Sequence, residues 1–414
     1  MKAWLLAGLM LALPSASAQA DSPLPGAQAS PRGEVAAGNL ALALEAAWAR
    51  NPQASSLSDR EAEADARGAL AEALTPGPAS LTLGHLSDAL TGNRGKREWE
   101  VELAAPLWLP SQKAARRGEA ASAAGQVAAR RAALRLQIAG ELREAWWSLA
   151  AARNGLDLAR RRVETAQALE TDVLRRYQAG DLARTDANLA RGERLSADSE
   201  VAEARSALLQ AEQVWRAITG LPAPTTLSDE AAPPRETVTG HPRLAMAAAA
   251  ANNAQARLRV AEATRRDSPE LALRLVRDRG DAAESYVNSV GIQLKLPFSS
   301  DARVRVDQAA ARAELVEAEA ELQLIRQQLK LDEEKARASL ATSERQLDMA
   351  RERQTLAADN LRLSEKSFAL GESDLTTLLR IRAAAFEAES LLHRQRVARQ
   401  AAQSRLNQTL GVLP

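Results

Sequence analysis

The side chains that most often bind metals or carry out catalysis are few and widely spaced in this chain. Its three histidines, His85, His241 and His393, lie far apart in the sequence, without the cluster of further ligands that a zinc site needs. Cysteine is absent, which excludes a thiol nucleophile, a thiolate metal site and disulfide bonds. We therefore predict three surface histidines, no metal site and no cofactor.

Acidic side chains are abundant, with 53 Asp and Glu against 54 Lys and Arg, and the two signs are interleaved. Paired carboxylates could serve acid–base chemistry, but on long helices such residues form solvated faces with i,i+4 partners. The sequence contains no phosphate-binding glycine loop, nucleophile elbow or Ser/His/Asp arrangement. We predict that the protein is not an enzyme. The balanced charge also argues against nucleic acid as a partner.

Acidic residues recur after a glycine at two matched turns, Tyr177-Gln-Ala-Gly180-Asp181 and Phe368-Ala-Leu-Gly371-Glu372. In each turn the glycine can end a helix in the left-handed conformation, and the acids then begin the next helix. Asp186 and Asp374 follow within a few residues. We expect these acids to complement the dipole of the following helix.

The matched turns belong to an internal repeat that covers most of the chain, because landmarks of the first half recur about 190 positions later in the same order. Asn51-Pro52 corresponds to His241-Pro242, and Thr219-Gly220-Leu221-Pro222 corresponds to Leu410-Gly411-Val412-Leu413-Pro414. We predict one repeat over residues 39–222, a linker over 223–240 and a second repeat over 241–414.

The beginning of the chain reads as an export signal. Lys2 precedes an apolar run from Ala3 to Leu13, and Ala18-Gln19-Ala20 fits a leader-peptidase site. We expect a signal peptide over residues 1–20 and a flexible segment over 21–38. The apolar run is shorter than the roughly 20 residues that a membrane-spanning helix needs.

Each repeat contains one very long helix, predicted from Gln112 to Gln178 and from Arg303 to Phe368. Both segments lack proline and carry apolar residues at heptad spacing, which is typical of close packing between helices. At 1.5 Å per residue each would be roughly 100 Å long. Shorter helices are predicted to stack end to end beside them over Asn39–Leu74, Ala183–Ile218, Pro242–Arg266 and Asp374–Leu410.

Two β-hairpins precede the long helices. Their strands are predicted over Ala79–Leu86 with Arg97–Leu103 and over Glu270–Val276 with Ser289–Leu296. Residues alternate along Arg97–Leu103 and Ser289–Leu296, which gives these two strands one apolar and one charged face. Two hairpins are not stable alone, and an open apolar sheet would aggregate, so closure requires further copies of the chain. Three copies would supply a barrel of twelve strands.

Aromatic residues flank these strands. Trp99, Trp108 and Phe298 are either anchors at a membrane interface or packing residues where strand becomes helix. Tyr286 could also serve as an interfacial aromatic. The pair Trp146-Trp147 lies within the first long helix, where we predict packing between helices and no ligand platform.

The order of these features resembles that of the TolC-like outer-membrane efflux family. The features are the leader, the repeated hairpin and long helix, the glycine turns and the hinges at Pro106 to Trp108 and Pro297-Phe298. The resemblance implies a mainly α fold with a small β part. It also implies a homotrimer whose twelve strands form a β-barrel in the outer membrane of a Gram-negative bacterium, continued by an α-helical barrel that places most of the mass in the periplasm.

Members of that family are passive ducts that bind a periplasmic adaptor protein, which links them to an inner-membrane pump, here expected to be of the RND type. The resemblance implies adaptor docking at the two turns, with gate acids beside them; the docking residues are Tyr177, Gly180, Asp181, Phe368, Gly371 and Glu372, and the gate acids are Asp186 and Asp374. Many relatives have Asp six residues after the turn glycine, whereas the second turn here has Thr377 at that position. The resemblance therefore does not decide whether the second turn carries a gate ring.

The cargo implied by the resemblance is small solutes, including metal cations. Two alternatives remain at this point: a duct for type I protein secretion, and a periplasmic coiled-coil spacer that never enters a membrane. The alternating strands distinguish them, because a spacer has no use for an apolar sheet face.

Overall fold

The computed structural model of the chain describes residues 39–231, 240–298 and 301–414. The predicted signal peptide (1–20), the segment 21–38 and residues 232–239 of the predicted linker lie outside the described residues. The fold is mainly α with a small antiparallel sheet, as predicted. Among the described helices, none combines the length and apolarity that crossing a membrane demands.

The described chain forms seven helices and four strands. In chain order these are α1 (Leu40–Arg50), α2 (Pro52–Glu72), β1 (Ser80–Ser87), β2 (Arg97–Pro106), α3 (Gln112–Ala179), α4 (Arg184–Thr219), α5 (Pro242–Ala263), β3 (Glu270–Arg279), β4 (Val287–Lys295), α6 (Asp301–Ala369) and α7 (Leu375–Thr409). The two long helices, α3 and α6, contain 68 and 69 residues. Their predicted positions are confirmed to within two residues.

The segment predicted over Asn39–Leu74 divides into α1 and α2 at Asn51. The Asn51 side chain accepts a hydrogen bond from the Gln53 N–H at 2.8 Å, which caps the start of α2. Pro52 occupies the first position of that helix, where its missing N–H costs nothing.

His241 repeats this arrangement at the start of α5, where its Nδ1 accepts from the Arg243 N–H at 3.1 Å. Pro242 again follows as the first helical residue. The prediction of a surface histidine is wrong here, because His241 is buried beside the end of α7. Burial, with a smaller contribution from the Arg243 charge, lowers the pKa of His241 below its ordinary value.

The shorter helices pack along the long ones. Helices α4 and α5 both contact α3, and α5 and α7 contact α6, so each long helix is flanked by shorter helices. The predicted heptad seam of α3 is buried at Leu142, Leu149 and Leu156. Trp146 is fully buried, with its ring centroid 5.5 Å from that of Trp215 on α4, which confirms the predicted packing role.

The four strands form one sheet in the order β1-β2-β3-β4, with every neighbouring pair antiparallel. The two predicted hairpins are therefore joined through β2 and β3, which pair from Arg97↔Arg279 to Pro106↔Glu270. This pairing extends β2 beyond its predicted end at Leu103. Pro106 is the last residue of the strand.

Candidate functional site

The sheet has one face built from apolar residues in register across all four strands. We call it the apolar face; two complete rows lie on it, Leu81–Leu103–Leu273–Ile292 and Leu83–Val101–Leu275–Val290. A shorter row of Ala105, Leu271 and Leu294 follows toward the helices. The large side chains of these rows are exposed, up to 79% for Ile292. The described part of the chain leaves this face uncovered.

The opposite face, which we call the acidic face, carries every carboxylate of the four strands. These are Glu98, Glu100, Glu102, Glu270 and Asp278, against two bases, Arg274 and Lys295. Both bases are paired: Arg274 Nε lies 2.5 Å from a Glu100 carboxylate oxygen, and Lys295 Nζ lies 3.1 Å from Glu270. The acidic face therefore retains an excess of negative charge.

Both edges of the sheet are open. Strand β1 pairs only with β2 and strand β4 only with β3, so the outer backbone groups of β1 and β4 have no strand partner in the described chain. Open edges of this kind pair readily with another chain. The sheet is thus incomplete in a single copy.

The hinge between β2 and α3 is packed against the end of α2. The Leu107 N–H donates to the Pro269 carbonyl at 2.7 Å, and Trp108 Nε1 donates to the Ala73 carbonyl at 3.0 Å. The Lys113 ammonium lies 5.9 Å from the Trp108 ring centroid. These contacts favour hinge packing for Trp108 over an anchor at a membrane interface.

The second hinge is built differently. Pro297 and Phe298 follow the last paired residue of β4, and α6 begins at Asp301. Phe298 is 91% exposed, so it does not pack at this hinge as Trp108 does at the first. The two halves of the repeat therefore use their hinge aromatics in different ways.

The first helix turn is closed by Gly180 in the left-handed conformation, with φ of +88°. The Gly180 N–H donates to the Tyr177 carbonyl at 3.0 Å, and the Asp181 N–H donates to the Arg176 carbonyl at 2.9 Å. These bonds satisfy the last carbonyls of α3, as in a Schellman motif. The side chains of Tyr177 and Asp181 are exposed.

The second turn repeats the backbone of the first. Gly371 has φ of +76°, and its N–H donates to the Phe368 carbonyl at 3.1 Å. The Glu372 N–H donates to the Ser367 carbonyl at 2.9 Å, and the Glu372 side chain is exposed. A Cβ added at Gly371 would meet no atom within 4 Å, so the backbone conformation alone selects glycine here.

The structure brings the two turns together. Phe368 is buried among Val173 of α3 and Leu375 and Leu378 of α7. The Arg176 guanidinium lies 5.0 Å from the Phe368 ring centroid, and its Nη1 is 3.4 Å from the Phe368 carbonyl oxygen. Phe368 is thus a core residue of the paired turns, whereas its counterpart in the first repeat is exposed. No sequence pattern predicted the bridging role of Arg176.

The two candidate gate acids both cap helix N-termini, in different positions. Asp186 is the third residue of α4 and accepts from the Ala183 N–H at 3.1 Å. Asp374 precedes α7 and accepts from the Thr377 N–H at 2.6 Å, and hydrogen bonds from Thr377 lower its pKa. In the second turn the acid, Asp374, occupies the cap position before α7. Thr377 therefore takes the third helical position, which Asp186 occupies in α4. The dipole-complementing role is seen directly in both.

A buried ion pair that the sequence did not reveal ties α3 to the linker and to the end of the chain. Arg143 Nε lies 2.8 Å from a Glu230 carboxylate oxygen, with the two side chains 3% and 8% exposed. Arg143 also donates to the Val412 carbonyl at 3.0 Å and to Gln408. Asn407 Nδ2 donates to the other Glu230 oxygen at 2.9 Å.

Comparison with known proteins gives results for both sequence and fold. Residues 234–412 match the family model of outer membrane efflux proteins. No curated protein sequence matches the chain. Among solved structures, the outer membrane protein VceC of Vibrio cholerae is 15% identical with a TM-score of 0.75, covering 90% of this chain and 96% of VceC.

Two outer membrane channels share the same fold. CmeC of Campylobacter jejuni is 14% identical with a TM-score of 0.72, covering 90% of this chain and 85% of its own. MtrE of Neisseria gonorrhoeae, solved in an open state, is 16% identical with a TM-score of 0.71, covering 90% and 89%. The second half of the chain thus matches the outer membrane efflux protein family, and the fold shared over nine-tenths of the chain with these channels supports a TolC-like outer-membrane efflux family.

Proposed function

We propose that this protein is the outer-membrane exit duct of a tripartite efflux system, acting without a cofactor or catalysis as a homotrimer. The observation that carries the proposal is the two-faced sheet: a continuous exposed apolar face, a charged opposite face and two open edges. A transmembrane β-barrel presents the apolar side to lipid and the polar side to its lumen. A periplasmic spacer would have to leave the apolar face in water.

Strand length supports insertion into a membrane. Strands β2 and β3 contain 10 residues each, within the roughly 9–11 that a tilted strand needs to cross a bilayer. The aliphatic rows are bounded by Trp99 at one end and followed by exposed Phe298 at the other. Aromatic girdles at both interfaces are typical of such barrels.

Closure of the sheet sets the number of copies. Because β1 and β4 run antiparallel within the chain, the β4 edge of one copy can pair with the β1 edge of the next and preserve the alternation. Three copies of a four-stranded sheet would then form a barrel of twelve strands.

The acidic face favours a cargo class. With this face toward the lumen, each copy contributes five strand carboxylates against two bases, both of which are already ion-paired. A channel lined by one sign of charge concentrates ions of the opposite sign. We propose small solutes as the cargo, with cations, including metal cations, favoured over anions.

The paired turns are the proposed docking site for a periplasmic adaptor that leads to an inner-membrane pump of the RND type. Exposed Tyr177, Asp181 and Glu372 lie on turns that the Arg176–Phe368 contact holds together. Reversing the charges of Asp181 and Asp186 should alter adaptor binding or conductance. If both quantities are unchanged, these acids have no part in docking or gating.

The decisive experiment is single-channel recording of the mature protein in planar bilayers, combined with its oligomeric mass in detergent. Trimers that give small conductance steps are expected for a closed duct that an adaptor must open. A species that is soluble without detergent and does not conduct would refute insertion and leave the periplasmic spacer as the better account.

A further inference from the structure

The face of the sheet that is apolar near the helices becomes basic and aromatic at the far end. The row after the aliphatic ones consists of His85, Trp99, Arg277 and Asn288, with the His85 and Trp99 rings stacked at 4.0 Å. In the next row Arg97 pairs with Arg279. We call these two rows the basic rim.

The strand positions of this face carry no carboxylate, because all strand acids lie on the acidic face. Within the described residues, the guanidinium groups of Arg97, Arg277 and Arg279 have no carboxylate within 4 Å, whereas both bases of the acidic face are ion-paired. The arginines of the basic rim thus differ from the bases of the acidic face, because they form no ion pair with a described residue.

Two of the three arginines of the basic rim lie beside one aromatic ring. The guanidinium carbons of Arg277 and Arg279 lie 4.7 and 5.0 Å from the Tyr286 ring centroid. Arg279 also donates from Nε to the Gly95 carbonyl at 3.0 Å. Arg97 and Arg277 remain exposed. Their charges are therefore placed in one band on the outer surface of the sheet.

We propose that the basic rim binds the phosphate groups of lipids in the outer leaflet of the membrane. This inference rests on the proposed function, which turns the apolar face toward lipid and the far end of the sheet away from the periplasm. A guanidinium forms paired, charge-assisted hydrogen bonds with phosphate oxygens. An anionic lipid satisfies both parts of the surface, since its chains cover the aliphatic rows and its phosphates reach the arginines directly beyond them.

The test is lipid retention by the full mature protein. Protein would be reconstituted in phosphatidylcholine vesicles containing a minor fraction of lipid A with two phosphates, then extracted and passed through gel filtration, with bound lipid A measured by mass spectrometry. We expect enrichment of lipid A over phosphatidylcholine, and a lower enrichment when lipid A carries a single phosphate.

The variants separate the basic rim from general charge. Arg97→Gln with Arg277→Gln should reduce retention by on the order of 5-fold per arginine, the size expected for one basic residue at an anionic membrane surface. Arg97→Lys with Arg277→Lys should restore much of it. The control is Arg274→Gln, which removes one positive charge from the acidic face and should leave retention unchanged, against the roughly 5-fold loss expected for each arginine of the basic rim.

Three results would overturn the inference: equal retention in the paired Gln variant, an equal loss in Arg274→Gln, or displacement of lipid A by free inorganic phosphate at matched phosphate concentration. The last result would show an anion site that does not require lipid. Conductance measured in the same vesicles reports insertion separately. A protein that conducts without selecting lipid A fails this inference alone, whereas one that neither inserts nor conducts fails the proposed function.

Discussion

Replacing Arg143 by Met should release the linker and the end of the chain from α3. The substitution removes the ion pair with Glu230 and the hydrogen bonds to Val412 and Gln408. It leaves the Glu230 carboxylate, 8% exposed, with the Asn407 amide at 2.9 Å as its remaining side-chain donor among the described residues. Breaking one side of a buried pair costs about 3–5 kcal/mol, and the retained Asn407 bond favours the lower end, ~3 kcal/mol.

Hydrogen exchange followed by mass spectrometry measures this cost locally. Since about 1.4 kcal/mol corresponds to a factor of ten, opening of the segment 225–231 and of the last residues of α7 should become roughly 150-fold more frequent. Peptides from the paired turns, at the C-terminal end of α3, should exchange at the wild-type rate. An increase below about 5-fold in both segments would refute the assignment of Arg143 as their tie.

Two control variants test the physical reason. Arg143→Met combined with Glu230→Leu removes both charges, and replacing a whole buried pair by apolar residues is often nearly neutral, so most of the protection should return. Arg351→Met removes an exposed pair with Asp348, whose side chains are 58% and 72% exposed, and should change exchange little. If the double variant exchanges as fast as Arg143→Met, the loss comes from the hydrogen bonds to Val412 and Gln408 and not from the unpaired carboxylate.

Three further predictions concern the turns, the helix cap and the lumen. Gly180→Ala should destabilise the paired turns by about 1–2 kcal/mol in hydrogen exchange, because φ is positive at Gly180; an added Cβ clashes with no atom, so the backbone strain is the whole effect. Gly192→Ala within α4 should stabilise the helix slightly, and equal effects of the two substitutions would contradict the reasoning. Because the pKa of His241 is lowered in the folded state, the unfolded state binds more protons as pH falls through 6.5. Stability against urea should therefore decrease toward pH 5. His241→Asn should flatten this pH dependence while keeping the helix cap. Replacing the three β2 glutamates by Gln should reduce cation preference in reversal-potential measurements under a salt gradient, and an unchanged reversal potential would mean that the acidic face does not line the pore.

Local sequence patterns were sufficient for the elements and their order. Heptad spacing and the absence of proline predicted α3 and α6 to within two residues, because a long helix depends on periodicity and on uninterrupted hydrogen bonding. Gly180 and Gly371 were recognised as left-handed caps because few other residues adopt positive φ without strain. The alternation in the strands predicted one apolar and one charged face, and the register bears this out.

Contacts between distant parts of the chain could not be read from those patterns. Arg143 meets Glu230 across 87 positions and Gln408 across 265, and nothing near Arg143 in the sequence distinguishes it from the solvated arginines around it. The same holds for Arg176 and Phe368, which are 192 positions apart. Their contact accompanies the burial of Phe368, whereas the matching aromatic of the first turn, Tyr177, is exposed.

The sequence by itself thus determined the tandem repeat, the long helices, the glycine turns and the two-faced strands, because each follows from the periodicity or conformational preference of neighbouring residues. Only the tertiary structure decided that β2 joins β3 into one sheet, that the strand acids collect on one face of it while Arg97 and Arg277 lie on the other, and that His241 is buried. Register and burial arise when segments far apart in the chain pack together, and local patterns carry no information about which segments will meet.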